Sequence, residues 1–283
     1  MSRFERFAAI DWSGAKGSRH KGIAVAIAEA GDAAPRLVRP GHAWSRTEVL
    51  DWVRDTAAGP EPTLIGMDFS FAPPFAARGS YLPGEAVPSD APAFWAYVDA
   101  ACDDEDLGAA SFLETRHRPH FYFGKADGRK ADYLHFRACE QRFNALGGGK
   151  ASTVYDAIGA SQVAKASFAG MRLLHHARAA MPVWPFDAPA ARGSLLVEIY
   201  ARAFIRHAGL RGTKLRSNEA LDEALTALGS RPARLAHVPS DHETDVMVTA
   251  AGMRRIAADP HYWSPPGLTP EIACTEGWTF GVV

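Results

Sequence analysis

The sequence predicts an α/β protein in which a mixed β-sheet is flanked by helices. The chain opens with two apolar runs, residues 5–12 and 21–30, on either side of a glycine-punctuated turn, which is the pattern of a β-hairpin. Beyond them, strand-like runs alternate with segments of helical periodicity. Such alternation is typical of a sheet with helices packed against it.

The later elements follow in chain order. Ser45 and Glu48 have the spacing of a capping box, which predicts a helix over 45–58. The next strand, 62–74, ends at a proline pair because proline cannot continue a hydrogen-bonded ladder. We then expect a helix over 163–181, a strand over 193–201, helices over 217–228 and 240–259, and an edge strand or tail over 276–283.

Residues 73–150 differ from the rest of the chain, because proline, glycine and aromatic residues are dense there. Short helices are expected at 91–102 and 130–145. We therefore predict a single domain, 1–283, in which 73–150 forms an insertion or cap.

Composition narrows the class of protein. The 283 residues are 47% hydrophobic and carry a net charge of −1. The N-terminus is charged where a signal peptide needs an apolar segment, and the longest apolar run is far below the roughly 20 residues that span a bilayer. Three cysteines without a CxxC motif argue against a disulfide framework or a thiolate zinc site. A cytoplasmic protein without membrane association is expected.

Carboxylates occupy positions that conflict with the burial pattern around them. Asp11 follows the apolar "FAAI", Asp68 lies within "LIGMDFSF" and Glu198 lies within "SLLVEIYA". Asp241 and Asp245 lie at the start of the helix over 240–259. A carboxylate at the edge of a core is costly unless it is paired, hydrogen-bonded or bound to metal. Because neighbouring strands can bring their ends together, we expect these acids to meet at one end of the sheet.

Each acid also has an ordinary structural interpretation. Asp11 can hydrogen-bond the turn that follows it, and Asp68 can cap the loop after its strand. Glu198 can pair with Arg202. Asp241 can be a first-turn acid that the helix dipole favours.

The ligand types indicate which metal such a site would hold. Oxygen ligands without thiolates or a histidine pair suit Mg²⁺ or Mn²⁺ better than zinc. A cluster of carboxylates can hold two such ions about 3.5–4 Å apart, an arrangement that cleaves phosphodiesters by in-line displacement. The sequence therefore predicts a divalent-metal site made of Asp11, Asp68, Glu198, Asp241 and Asp245.

Basic residues are unevenly distributed despite the near-neutral net charge. Residues 202–216 hold five basic residues and no acid, which indicates either a solvated face or a contact with nucleic-acid phosphates, in RNA or DNA. The residues expected to contact phosphates are Lys16, Lys21, Lys150, Arg202 and Arg206.

Two other motifs are weaker. Lys150 follows a glycine run, but "ALGGGKAS" lacks the first glycine and the final hydroxyl of a Walker A loop. Pro119 lies between His117 and His120 and argues against a helical metal-binding pair.

Five stretches in this order, "AAIDWSGAKG", "LIGMDFSFAPP", "LLVEIYARA", "DHETDVMVTAA" and "EGWTFGVV", resemble the family called domain of unknown function 429. The resemblance covers most of the chain except 75–130. It implies a ribonuclease-H-like fold and a predicted nuclease activity. It also implies that Asp11, Asp68, Glu198 and Asp245 occupy the family's acidic positions. Ala201 stands where the family tends to have proline.

Three functions remain open from the sequence. The first is a Mg²⁺- or Mn²⁺-dependent nuclease or phosphodiesterase. The second is a nucleotide-binding phosphotransferase or hydrolase of the actin and sugar-kinase-like group, in which "DWSGAKG" would hold a phosphate. The third is a nucleic-acid-binding protein that has lost catalysis.

Overall fold

A computed structural model describes residues 3–149, 151–159, 163–188, 192–212 and 214–283. It contains one five-stranded sheet in the order β3-β2-β1-β4-β5. β1 pairs antiparallel with β2 and parallel with β4, while β3 joins β2 antiparallel and β5 joins β4 parallel. The strands are β1 (Arg6–Asp11), β2 (Ala24–Glu29), β3 (Arg36–Leu37), β4 (Thr63–Asp68) and β5 (Leu195–Glu198).

Eight α-helices accompany the sheet in the described part of the chain. They are α1 (Arg46–Ala58), α2 (Ala91–Ala100), α3 (Ala138–Ala145), α4 (Ala164–Ala177), α5 (Ala201–His207), α6 (Asn218–Ala227), α7 (Asp241–Ile256) and α8 (Pro270–Thr275). The mixed α/β class predicted from the sequence is therefore confirmed.

The alternation of side chains along the strands divides the core into two parts. Ala8 and Ile10 of β1 face a core that includes buried residues of α1, α2 and α4. Phe7 and Ala9 face a core that includes buried residues of α5, α6 and α7. Successive side chains of a β-strand point to opposite faces of the sheet. The position of a residue along its strand therefore shows which of the two cores it faces.

Several expected boundaries differ from the structure. The strand expected over 62–74 ends at Asp68, well before the proline pair at 73–74. The helix expected over 130–145 is an α-helix only in α3, and residues 130–133 form a 3-10 turn. β5 ends at Glu198, before the expected end of the strand at 201, and α5, which was not expected, begins at Ala201. The C-terminal segment pairs with β5 only through a bridge between Thr279 and Glu198.

The segment predicted as an insertion contributes no strand to the sheet within its described residues, 73–149. Its aromatic residues, among them Tyr81, Phe94 and Phe112, are buried in the same core as α1 and α4. Among the residues that the structure describes, no helix is long and apolar enough to cross a membrane.

Candidate functional site

Three acids occupy the last positions of the three mutually parallel strands. Asp11 ends β1, Asp68 ends β4 and Glu198 ends β5. Asp11 and Asp68 are direct partners across the β1–β4 pair, whereas Glu198 lies opposite Met67. This one-residue offset places Asp11 and Asp68 on the α7 face of the sheet and Glu198 on the other face.

α7 brings the next aspartate to the same face. α7 begins with a capping box, in which the Ser240 side chain accepts a hydrogen bond from the Glu243 amide and the Glu243 side chain accepts one from the Ser240 amide. Asp245 lies one turn into the helix and is buried, because α7 packs against β1 and β2. Gly66 permits this close packing, since a Cβ there would lie only 2.8 Å from the sulfur of Met253 on α7.

The aspartates share one electrostatic environment. Burial, followed by the charges of Asp11 and Asp245, raises the pKa of Asp68 well above its usual range. Burial raises the pKa of Asp245 to about 6, and the charges of Asp11 and Asp241 add to that effect against the opposing influence of Lys214. Such mutual destabilisation of the charged forms is expected of carboxylates that lie close together without a bound cation.

Lys214 supplies the cationic partner of this cluster. Its ammonium nitrogen lies 2.5 Å from Oδ2 of Asp245. Burial by itself would lower the pKa of Lys214, but the hydrogen bond to Asp245 and the charges of Asp11 and Asp241 raise it. The other oxygen of Asp245, Oδ1, is buried and has no hydrogen-bond partner among the described residues. One oxygen in the cluster therefore remains available to a ligand.

His242 joins the site from the first turn of α7. Its Nδ1 lies 2.6 Å from Oδ2 of Asp11, and this hydrogen bond raises the pKa of the imidazole. Neither His242 nor Lys214 was singled out from the sequence. The available signals were the place of His242 between two acids in "SDHETD" and the place of Lys214 in the basic stretch over 202–216.

Glu198 has a separate set of partners. The guanidinium of Arg137 binds both of its oxygens, at 2.7 and 2.6 Å. The Phe71 amide and the Thr279 hydroxyl donate further hydrogen bonds to the carboxylate. The sequence-based alternative named Arg202 as the partner of Glu198, and the structure shows Arg137 instead. Glu198 therefore lies at the same end of the sheet as the aspartates, with its charge already compensated.

The carboxylates of Asp11, Asp68 and Asp245 influence one another, but as they stand they do not form a compact group of metal ligands. Within the described ranges, two groups of three potential metal-ligating atoms lie within 4.8 Å of one another, and neither includes Asp11, Asp68 or Asp245. An ion bound to all three would require their side chains to draw together and would replace the contact that Lys214 makes with Asp245. Mutual repulsion keeps like charges apart until a cation compensates them.

The residues expected to contact phosphates have different environments. Lys16 forms an ion pair with Glu114 at 2.9 Å, and Arg206 donates to the carbonyls of Leu146 and Gly147. Lys150 lies outside the described residues. Of the other two predicted residues, Arg202 has its guanidinium against Gly149, and Lys21 lines a groove beside His242.

The glycine turn after β1 has a packing role. The indole nitrogen of Trp12 donates to the carbonyl of Ala166 on α4. A Cβ on Gly14 would lie 2.2 Å from the Ala166 nitrogen, so only glycine lets the turn approach α4 this closely. The adjacent cavity of about 200 Å³ is lined by charges of both signs, from Asp104 and Glu105 and from Lys16 and Arg46.

The raised pKa of Asp245 predicts how stability depends on pH. Its value of about 6 in the folded protein exceeds the ordinary value of 3.8, so the folded state binds more protons between these limits. Stability is therefore lost as pH rises from about 4 to 6, by on the order of 2–3 kcal/mol at about 1.4 kcal/mol per pKa unit. Asp245→Asn should remove this loss and be the more stable protein at pH 7.

Denaturant unfolding from pH 4 to 7.5, wild type beside Asp245→Asn, measures this difference. Asp51→Asn on the exposed surface of α1 is the matched control and should behave as wild type. Parallel pH profiles of wild type and Asp245→Asn would contradict the prediction.

No protein-family model matches this chain, and no curated protein or solved structure shows significant similarity to it. The resemblance drawn from the five sequence stretches therefore stays a prediction, and the geometry of the site carries the functional argument.

Proposed function

We propose that this protein is a divalent-metal-dependent nuclease or phosphodiesterase of ribonuclease-H-like fold. One observation carries the proposal. Asp11 and Asp68 end adjacent parallel strands in register, and the charge of buried Asp245, on α7, acts on Asp68 together with the charge of Asp11. Lys214 offers one positive charge to this group of carboxylates, and a divalent cation would offset the remaining negative charge. A hairpin followed by parallel strands that end in acids also supports the ribonuclease-H-like part of the proposal.

The residues present fit a Mg²⁺ or Mn²⁺ ion. All candidate ligands are carboxylate oxygens, which both ions prefer, and Oδ1 of Asp245 is buried without a partner among the described residues. Asp11, Asp68 and Asp245 would hold the ion, with Asp241 contributing charge nearby. Once bound, the ion would supply an activated water and stabilise the leaving oxygen of a phosphodiester.

The protein's own groups complete the site. The hydrogen bond to Asp11 raises the pKa of His242, and an imidazole in this position suits a proton donor to a leaving oxygen. A bound cation would displace the ammonium group of Lys214 from Asp245, and Lys214 would then be free to bind a phosphate. A groove of about 330 Å³ beside His242 is lined by Lys21 and Arg39, which suit the backbone of a nucleic acid.

The two alternative functions receive less support. A nucleotide phosphotransferase would place phosphates beside the glycine turn. The cavity there is lined by two acids, Asp104 and Glu105, as well as by Lys16 and Arg46, so its lining offers phosphates no net positive charge. A binding protein without catalysis does not account for the raised pKa values of Asp68 and Asp245, which disfavour their charged forms.

Cleavage of a panel of single-stranded, duplex and branched RNA and DNA tests the proposal. We expect turnover with Mg²⁺ or Mn²⁺ and none in excess chelator. Ca²⁺ should support binding but little turnover, because its looser coordination positions water less strictly. Cleavage that persists in chelator would exclude the metal-dependent mechanism, and nucleotide hydrolysis without nucleic-acid cleavage would favour the phosphotransferase alternative.

A further inference from the structure

A second cluster of potential metal ligands lies in the segment over 73–149, away from the aspartates. It consists of Glu85, His117 and His120, whose ligand atoms all lie within 4.8 Å of one another. Glu85 is exposed, His117 is buried and His120 is partly buried. The cluster therefore connects the surface to the aromatic core of this segment.

The local backbone explains how the two histidines meet. Pro119 excludes a regular α-helix, and residues 118–120 instead form a 3-10 turn. Side chains three residues apart eclipse one another in a 3-10 turn, and the two rings lie 6.3 Å apart between centroids. The sequence excluded only an α-helical pair at His117 and His120, and the structure likewise has no α-helix at these residues.

The distances suit ligands of one ion better than hydrogen bonds. Oε1 of Glu85 lies 3.8 Å from Nδ1 of His117 and 3.5 Å from Nε2 of His120, beyond the usual hydrogen-bond range of about 2.7–3.2 Å. Two ligands on a tetrahedral zinc, with bonds of about 2.1 Å, lie roughly 3.4 Å apart. A small inward movement would therefore complete the geometry.

The buried histidine provides an independent observation. His117 is only 3% exposed, yet its Nδ1 has no hydrogen-bond partner among the described residues. Its other nitrogen, Nε2, lies 2.9 Å from the hydroxyl of Tyr97. Metal-ligating histidines are commonly oriented in this way, with one nitrogen held by a polar group and the other aimed at the metal.

We propose that Glu85, His117 and His120 bind a borderline transition-metal ion, of which Zn²⁺ is the best match. Two imidazoles and one carboxylate are a typical zinc ligand set, and they leave a fourth position for water or another ligand. The ion would tie the 3-10 turn to the loop that carries Glu85, in a segment with little regular secondary structure. This site is independent of the proposed nuclease site, whose carboxylates prefer Mg²⁺ or Mn²⁺.

The second histidine-containing group serves as a control. It consists of Asp99, His175 and His176. Asp99 already accepts a hydrogen bond from Arg172 at 2.9 Å, and His175 is exposed on α4. Neither histidine is buried, since His175 is exposed and His176 is half-buried.

Calorimetric titration of the tag-free, chelator-stripped protein with Zn²⁺, in excess Mg²⁺, tests the proposal. We expect one zinc per chain at this site, with at least tenfold weaker binding in His120→Ala and Glu85→Gln and unchanged binding in His175→Ala. Both His120 and Glu85 retain solvent contact, so these variants should fold; circular dichroism checks this. Tyr97→Phe should weaken binding by about 10–100-fold, the usual cost of losing a partner that orients a ligand.

Co²⁺ provides a readout of geometry, since replacement of zinc at a four-coordinate site should give visible absorption that disappears in His120→Ala. Absence of zinc binding, unchanged affinity in His120→Ala, or loss of binding only in His175→Ala would each overturn the proposal. None of these results depends on nuclease activity, so the two proposals fail separately.

Discussion

Asp11→Asn should leave the protein folded and reduce phosphodiester cleavage at least a hundredfold. Asparagine keeps an oxygen that can accept the hydrogen bond from His242, so little stability should be lost. It removes the negative charge that a divalent cation requires, and the cation supplies both water activation and leaving-group stabilisation. A hundredfold loss corresponds to about 2.7 kcal/mol of transition-state stabilisation. The measurement is the cleavage rate with Mg²⁺ or Mn²⁺ under single-turnover conditions.

The same variant has a readout that does not depend on activity. The hydrogen bond to Asp11 is the main cause of the raised pKa of His242, so Asp11→Asn should lower that pKa in an NMR titration. Asp51→Asn, at an exposed position of α1, should change neither quantity. Undiminished cleavage in Asp11→Asn, together with a lowered His242 pKa, would show that Asp11 has only a structural role.

Arg137→Met should destabilise the fold by about 3–5 kcal/mol. Arg137 is 1% exposed and binds the carboxylates of both Glu198 and Glu140, which are themselves buried. Its removal leaves two buried carboxylates without a cation, and breaking a buried ion pair from one side typically costs this much. Urea unfolding monitored by tryptophan fluorescence measures the loss.

Adding Glu198→Gln to Arg137→Met should restore part of the lost stability. Glutamine carries no charge and can still accept hydrogen bonds from the Phe71 amide and the Thr279 hydroxyl. A coupling free energy of about 1–3 kcal/mol between the two substitutions is expected for residues in direct contact. A double variant no more stable than Arg137→Met would contradict the structural role. If Glu198→Gln alone kept its stability and lost cleavage, Glu198 would belong among the metal ligands.

Much of the architecture follows from local sequence patterns. The alternating apolar runs predicted β1, β2 and β4, and the capping box at Ser45 located the start of α1. Regions without periodicity were harder to predict. The two-residue strand β3 and the helix that begins at Ala201 were not predicted, because short elements are stabilised by their neighbours more than by their own residues.

The residues of the site come together through contacts between residues that are far apart in sequence. Lys214 and Asp245 are separated by 31 residues, and His242 and Asp11 by 231. The pairing of Glu198 with Arg137 likewise joins β5 to the start of α3. A charged side chain has several possible partners, and its local sequence does not distinguish among them.

The acids of β1, β4 and β5 can be recognised from the sequence alone, because their apolar surroundings make each carboxylate conspicuous, but the expected strands continued beyond each of them. That Asp11 and Asp68 face α7 while Glu198 faces the other way follows only from the pairing of the strands in the folded protein. The physical reason is the two-residue period of a β-strand: the register of strand pairing fixes which face each residue occupies, and a shift of one residue reverses it. Register is set by long-range pairing and by the packing of both cores, which no local stretch of sequence contains.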